Sequence, residues 1–294
     1  MTLAPRLDLL DPADVARLGG IEIVAQGVVE GYLAGLHRSP FRGFSVEFTE
    51  HRAYQPGDEL RYLDWRMLAR SDRLFVKQFE EETNLRAMIL LDASRSMAWR
   101  GAPERLTKHE YAQRLAASIA LILLRQRDAT GLVTFDETVR DVVPARVKTG
   151  QWRRLVRGIV AATAGRGTAA EPALRHVTSL LARRGLVVLL SDLLLDRELA
   201  LVALRYLRHR GHQVVVLHLM DLGERELAGP PEVRFRDPET DERLVVRPRE
   251  LARAYRLTVE REIATWRAAC RRHGIVYHHV TTDQPFGHVL RRLA

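Results

Sequence analysis

Leu-Arg-Ala-Met-Ile-Leu-Leu-Asp-Ala-Ser-Arg-Ser-Met, residues 85–97, is the stretch whose reading decides the fold. Its apolar run is too short to cross a bilayer and has the length of a strand buried on both faces. The run stops at Asp92, and Ser94 and Ser96 follow at alternate positions. In an extended loop that alternation sets both serines on one side, with Asp92 behind them. Oxygen-only ligands with few formal charges suit a hard, octahedral cation such as Mg²⁺. The same residues also read as a strand end whose polar loop caps the next helix. Taken alone, the stretch leaves both readings open.

Downstream of it, strands and helices alternate. A helix is expected over residues 105–127, with Leu106, Tyr111, Leu115, Ile119 and Ile122 on its buried side. Residues 131–135 read as a strand, and 138–143 follow so closely that they must turn back as an antiparallel neighbour. Helices over 150–164 and 171–184 flank the loop Gly165-Arg166-Gly167-Thr168, and a second fully buried strand, 186–190, ends at Ser191-Asp192. A helix at 197–210, a strand at 213–219, a hairpin insertion near 230–247, a helix at 249–272, a strand at 275–280 and a helix at 286–293 complete the chain. This order predicts an α/β fold, a doubly wound, mostly parallel six-stranded sheet spanning residues 85–294.

Upstream, residues 1–38 read as an N-terminal helical segment and 39–84 as an accessory β-rich region. In the latter, Arg52, Asp58, Arg61, Asp64 and Arg70 interleave with Tyr54, Tyr62 and Trp65. They read as a polar network fixing a small β element, or alternatively as a docking surface.

Composition narrows the function classes. A chain of 294 residues holds one large or two modest domains with a sizeable core. No apolar run approaches a membrane span, and the acidic start (Asp8, Asp11, Asp14) lacks the layout of a signal peptide. A single cysteine, Cys270, excludes an internal disulfide framework and suits a reducing compartment, so a cytoplasmic location is expected. The net charge of +9 comes almost wholly from arginine, because only Lys77, Lys108 and Lys148 among 46 basic residues are lysine. These charges are spread along the helices with no zinc-finger spacing or stacking-aromatic reader motif, so nucleic acid is not an expected partner.

In an open α/β sheet, ligands bind beyond the carboxyl ends of the strands, where strand order reverses. If the strands ending at Asp92 and Asp192 are neighbours at that reversal, their loops meet, and the Thr168 loop is the natural third contributor. The convergent candidate set is Asp92, Ser94, Ser96, Thr168 and Asp192, with Mg²⁺, or alternatively Mn²⁺, as the cation.

Asp-x-Ser-x-Ser after a buried strand, a threonine in a later glycine loop and an aspartate ending a second strand resemble the metal-ion-dependent adhesion site of von Willebrand factor type A domains. More closely, the chain is similar to the bacterial family known as domain of unknown function 58. The resemblance rests on Glu47-Phe48-x-Glu50-x-Arg52-x-Tyr54-x-Pro56-Gly57-Asp58, Arg61-x-x-Asp64-Trp65, Ala69-Arg70, Glu81-Glu82, Asp92-x-Ser94-x-Ser96-Met97, Gly131-Leu132-Val133-Thr134-Phe135, Ser191-Asp192 and Asp237-x-Glu239-Thr240. It implies a von Willebrand factor type A-like sheet, the five metal-site positions above, and association with ATPases of the MoxR type or their clients. Many family members carry membrane helices ahead of this region, which the present sequence lacks. The function expected is metal-dependent recognition of a partner's Asp or Glu, without enzymatic activity.

Two rivals stand beside it. A Mg²⁺-dependent phosphohydrolase would use the same carboxylates, although no Gly-x-Ser-x-Gly elbow and no phosphate loop ending in Gly-Lys-Ser/Thr is present. A metal-free structural scaffold would use the polar residues only as caps.

Overall fold

The computed structural model describes residues 20–34, 47–55, 63–71, 73–80, 85–165, 171–181, 183–227, 232–236 and 243–293. The chain divides into two compact units, Phe41–Leu85 and Met1–Pro40 with Arg86–Ala294. Helix α1 (Ile21–Ala34) belongs to the larger unit and buries Val24, Ala25, Val28, Val29 and Tyr32, a spacing that keeps one helical face apolar. The rest of the expected N-terminal helical segment, residues 1–19 and 35–38, lies outside the described residues.

In the smaller unit, strand β1 (Glu47–Ala53), helix α2 (Trp65–Ser71) and strand β2 (Phe75–Glu80) follow one another. The strands pair antiparallel with a bulge between Phe48 and Glu50. Asp64 opens α2 by accepting the Met67 N–H at 3.1 Å, so one member of the expected polar network serves as a helix cap. Asp58, Arg61 and Tyr62 lie outside the described residues, and Trp65 is 63% exposed.

The larger unit is built on a six-stranded sheet. Its strands are β3 (Arg86–Asp92), β4 (Ala129–Phe135), β5 (Val139–Arg146), β6 (Leu186–Ser191) and β7 (Gln213–Met220), followed, beyond the antiparallel hairpin β8 (Val233–Arg236)–β9 (Arg243–Val246), by β10 (Val276–Thr281). The spatial order is β10–β7–β6–β3–β4–β5. Every pairing is parallel except β4–β5, the close antiparallel return expected from chain spacing. From β3 the chain builds outward through β4 and β5, then crosses to the other side of β3 to place β6. Strand order therefore reverses between β3 and β6.

Alternation along the strands supplies two apolar faces. Leu90, Val133, Leu189 and Val216 join a core with residues of α5 (Glu171–Leu180), α6 (Arg197–His209) and α8 (Pro248–Arg272), including Val177, Leu204 and Trp266. The opposite face, carrying Ile89 and Leu91, packs under α3 (Lys108–Arg125), which also meets α1 and α4 (Gln151–Ala161). Each fully buried aliphatic side chain contributes roughly 1.5–3 kcal/mol of transfer free energy, and all six residues of β6 are buried. The remaining helices, α7 (Leu222–Glu226) and α9 (Phe286–Arg292), are short. Among the described residues, no helix is long and apolar enough to cross a membrane.

Boundaries moved where a local signal outranked apolar spacing. Helix α3 starts at Lys108, not near residue 105, because Thr107 and Glu110 form a reciprocal capping box at 3.0 and 2.8 Å. Gly131 sits where β4 and β5 shift register, and a Cβ there would lie 2.6 Å from the Val143 carbonyl oxygen. Only glycine allows that approach.

Candidate metal centre

The register of β3 and β6 builds the site. Leu91 pairs with Leu190, so the next residues, Asp92 and Ser191, leave the sheet side by side at the reversal of strand order. The Ser191 hydroxyl donates to Asp92 Oδ2 at 2.6 Å, and the Ser94 backbone N–H donates to Oδ1 at 2.8 Å. The carboxylate is thereby fixed behind the loop. Ser94 stands at the N-cap of a single 3₁₀ turn, Arg95–Ala98, but its side chain makes no cap hydrogen bond. Its hydroxyl instead lies 3.2 Å from that of Ser96.

Asp192 accepts a hydrogen bond at each carboxylate oxygen. Its Oδ1 accepts the Leu194 N–H at 3.2 Å, and its Oδ2 accepts from Lys108 Nζ at 2.8 Å. Lys108 also donates to Glu224 Oε1 at 2.5 Å and is 0% exposed. Burial is the largest single effect on the ammonium and lowers its pKa, but the combined pull of Asp192 and Glu224 outweighs it and leaves the value raised. Burial likewise raises the Glu224 pKa against the pull of Lys108. Deleting one member of such a buried pair costs about 3–5 kcal/mol, since it strands a charge away from water. A cavity of about 480 Å³ opens beside this cluster, walled by Leu193, Leu194, Leu195, Ile263 and Trp266.

Two histidines brace the centre. His109, the residue after Lys108, lies between the carbonyl oxygens of Asp92 (3.2 Å) and Ala162 (2.8 Å). Burial lowers its pKa, and a neutral imidazole has one N–H to give to these two carbonyls. Ala162 is the C-cap of α4. His218 on β7 is buried, with Tyr277 Oη 2.6 Å from its Nδ1 and a hydrogen bond to the Asp192 backbone. Its pKa falls to about 3, through burial first and then the neighbouring His279.

Burial, with the Asp192 charge second, pushes the Asp92 pKa up to about 6 against the hydrogen bonds from Ser191 and Ser94. A buried carboxylate beside a second acid carries its charge at a cost that an opposite charge nearby would relieve. Of the five candidate ligands, Asp92, Ser94 and Ser96 come together, and Asp192 acts on Asp92 electrostatically while its oxygens are engaged elsewhere. Thr168 lies outside the described residues. Among the described residues, no group of three or more His, Cys, Asp or Glu side chains could hold a metal ion. The donor set here relies on hydroxyls. Two ligands on adjacent corners of a Mg²⁺ octahedron lie about 3.0 Å apart for metal–oxygen distances of about 2.1 Å, close to the spacing of the two serine hydroxyls. The residues present fit such an ion.

Sequence reasoning missed Ser191, Lys108, His109 and Glu224. Ser191 was legible in part, because it ends a strand beside the predicted reversal. Lys108 carried a compositional signal as one of three lysines in an arginine-rich chain. Glu224 carried none, since its role depends on α7 lying beside α3.

Several known proteins resemble the chain. The structure of conserved hypothetical protein BatB from Bacteroides thetaiotaomicron is 16% identical and covers 71% of this chain and 96% of that one, with a TM-score of 0.47. An aerotolerance-related membrane protein from Bacteroides fragilis has the same identity and coverage at 0.46. A von Willebrand factor type A structure from Catenulispora acidiphila is 13% identical over 46% of this chain and 33% of that one, at 0.33. Uncharacterized proteins of Mycobacterium bovis and Mycobacterium tuberculosis are 29% identical over 273 residues, covering 90% of this chain and 82% of theirs. A family profile matches residues 50–269, and the chain belongs to that family, described as protein of unknown function DUF58.

Proposed function

We propose that the chain is a non-catalytic protein-binding module that recognises a carboxylate on its partner through a divalent cation, Mg²⁺ or Mn²⁺, held at the Asp92 loop. The observation that carries this reading is the pair of serine hydroxyls 3.2 Å apart, of which the Ser94 hydroxyl does no capping. A helix cap would spend that hydroxyl on a backbone N–H. Ser94 and Ser96 would ligate the ion directly, while Asp92, Asp192 and Thr168 would do so directly or through water. A bound Mg²⁺ supplies positive charge and an exchangeable position for an incoming Asp or Glu oxygen.

The chain's own residues prepare that position. Ser191 and the Ser94 N–H orient Asp92. Having two hydroxyls and few anions among the ligands keeps the site electrophilic. The non-catalytic reading draws on the hydrogen bonds from Ser191 and the Ser94 N–H, which hold the Asp92 carboxylate behind the loop. The von Willebrand factor type A-like assignment draws on the strand reversal at Asp92. A MoxR-type ATPase or its client is the partner that the family resemblance suggests.

Calorimetric titration of Mg²⁺ into chelator-treated protein tests the reading. Wild type should release heat and saturate, while Ser94→Ala should lose the signal with an unchanged circular dichroism spectrum. Equal binding by both proteins, or none by wild type, would overturn it.

A further inference from the structure

We propose that Lys108 is a positioning residue that sets how tightly the Asp92 site holds a cation, by neutralising Asp192 from inside the protein. This rests on the metal-binding reading above. Lys108 is fully buried, 84 residues from Asp192 in sequence, and its Nζ lies 2.8 Å from Asp192 Oδ2. The remaining Asp192 oxygen is taken by the Leu194 N–H. Asp192 therefore meets a cation, directly or through water, as a carboxylate already hydrogen-bonded at both oxygens, and Lys108 discounts its charge.

Glu224 works in the opposite sense. Its Oε1 shares the same ammonium at 2.5 Å, and its other oxygen accepts the Asp221 N–H at 3.0 Å, so its placement is fixed by the start of α7. It draws part of the Lys108 charge away from Asp192. The α3 capping box anchors the lysine at the first helical position, and a compact ammonium on a flexible stem reaches both acids at once. Lysine and glutamate thus form an internal balance that leaves net positive charge on a bound cation, which a partner carboxylate requires.

The test is calorimetric Mg²⁺ titration and thermal melting of chelator-treated wild type, Lys108→Gln and Glu224→Gln. Charge balance demands opposite signs. Lys108→Gln should bind Mg²⁺ about tenfold tighter and Glu224→Gln about tenfold weaker, the scale seen when groups behind metal ligands are altered. Lys108→Gln should also melt lower without metal and recover more on Mg²⁺ addition, because the ion replaces the missing positive charge. A purely structural brace would weaken binding in both variants alike, and that result would overturn the proposal. Unchanged affinity in Glu224→Gln, which keeps the Lys108–Asp192 pair, would overturn it even if Lys108→Gln failed to fold. A wild type that takes up no Mg²⁺ would instead defeat the metal reading itself, and this inference with it.

Discussion

The Asp92 carboxylate is 1% exposed, and its pKa stands at about 6 against an ordinary 3.8. At about 1.4 kcal/mol per pH unit, its ionised form is disfavoured by about 3 kcal/mol in the folded, metal-free protein at neutral pH. Asp92→Asn removes that term while preserving shape. The asparagine oxygen can accept the Ser94 N–H, and its amide can donate to the Ser191 hydroxyl, which reverses role. The Ser191 hydroxyl already accepts the Leu193 N–H at 3.0 Å, so its own buried proton loses its acceptor, which returns about 1 kcal/mol of the gain. The net expectation is a metal-free variant more stable by about 2 kcal/mol, raising the melting midpoint by about 4–8 °C for a unit of this size. The sign follows from linkage, because the folded pKa lies above the unfolded one. The penalty is fully present above about pH 6 and disappears as pH falls towards about 4. Urea denaturation of chelator-treated proteins at neutral pH and near pH 4 measures both limits, and Mg²⁺ should stabilise only the wild type. An Asp92→Asn protein less stable than wild type at neutral pH, or a difference that persists in acid, would refute this account of the site.

Acid should destabilise the fold through His218, whose pKa of about 3 lies below its ordinary 6.5 and whose neighbours include His279, Lys108 and Asp192. The unfolded chain takes up that proton first, so stability present above about pH 6.5 is lost at about 1.4 kcal/mol per pH unit as pH falls. His218→Asn should flatten that slope by about one proton, and an unaltered slope in a stability–pH series would count against it. Gly131→Ala would set a Cβ 2.6 Å from the Val143 oxygen and 2.7 Å from the Ala145 nitrogen, both backbone. A loss of about 1–3 kcal/mol is expected, and a thermal midpoint equal to wild type would contradict the close approach of β4 and β5.

Element types were legible because local patterns write them. The run ending at Asp92 and the run ending at Asp192 each announced a buried strand, and the return of residues 138–143 had to be antiparallel. Helix starts were less legible, because apolar spacing around residue 105 was overruled by the capping box of Thr107 and Glu110. Within the candidate site, the loop Asp92-x-Ser94-x-Ser96 was readable because its members are two residues apart and alternation alone puts the serines on one side. The companions of Asp192 were not, since Lys108 lies 84 residues from it and Glu224 lies 116 from Lys108.

The sequence by itself determined the order of the strands and longer helices after residue 85, the apolar faces they bury and the oxygen-rich loop after β3, all consequences of side-chain periodicity and turn chemistry. The short helices Trp65–Ser71 and Leu222–Glu226 went unread. Only the tertiary structure decided that β6 lies against β3 and that Ser191, not Asp192, meets Asp92. It also decided that a buried ammonium occupies Asp192. Those outcomes depend on strand register and on helices brought together from far apart in the chain, where contact is set by the packing of the whole sheet and no local pattern records it.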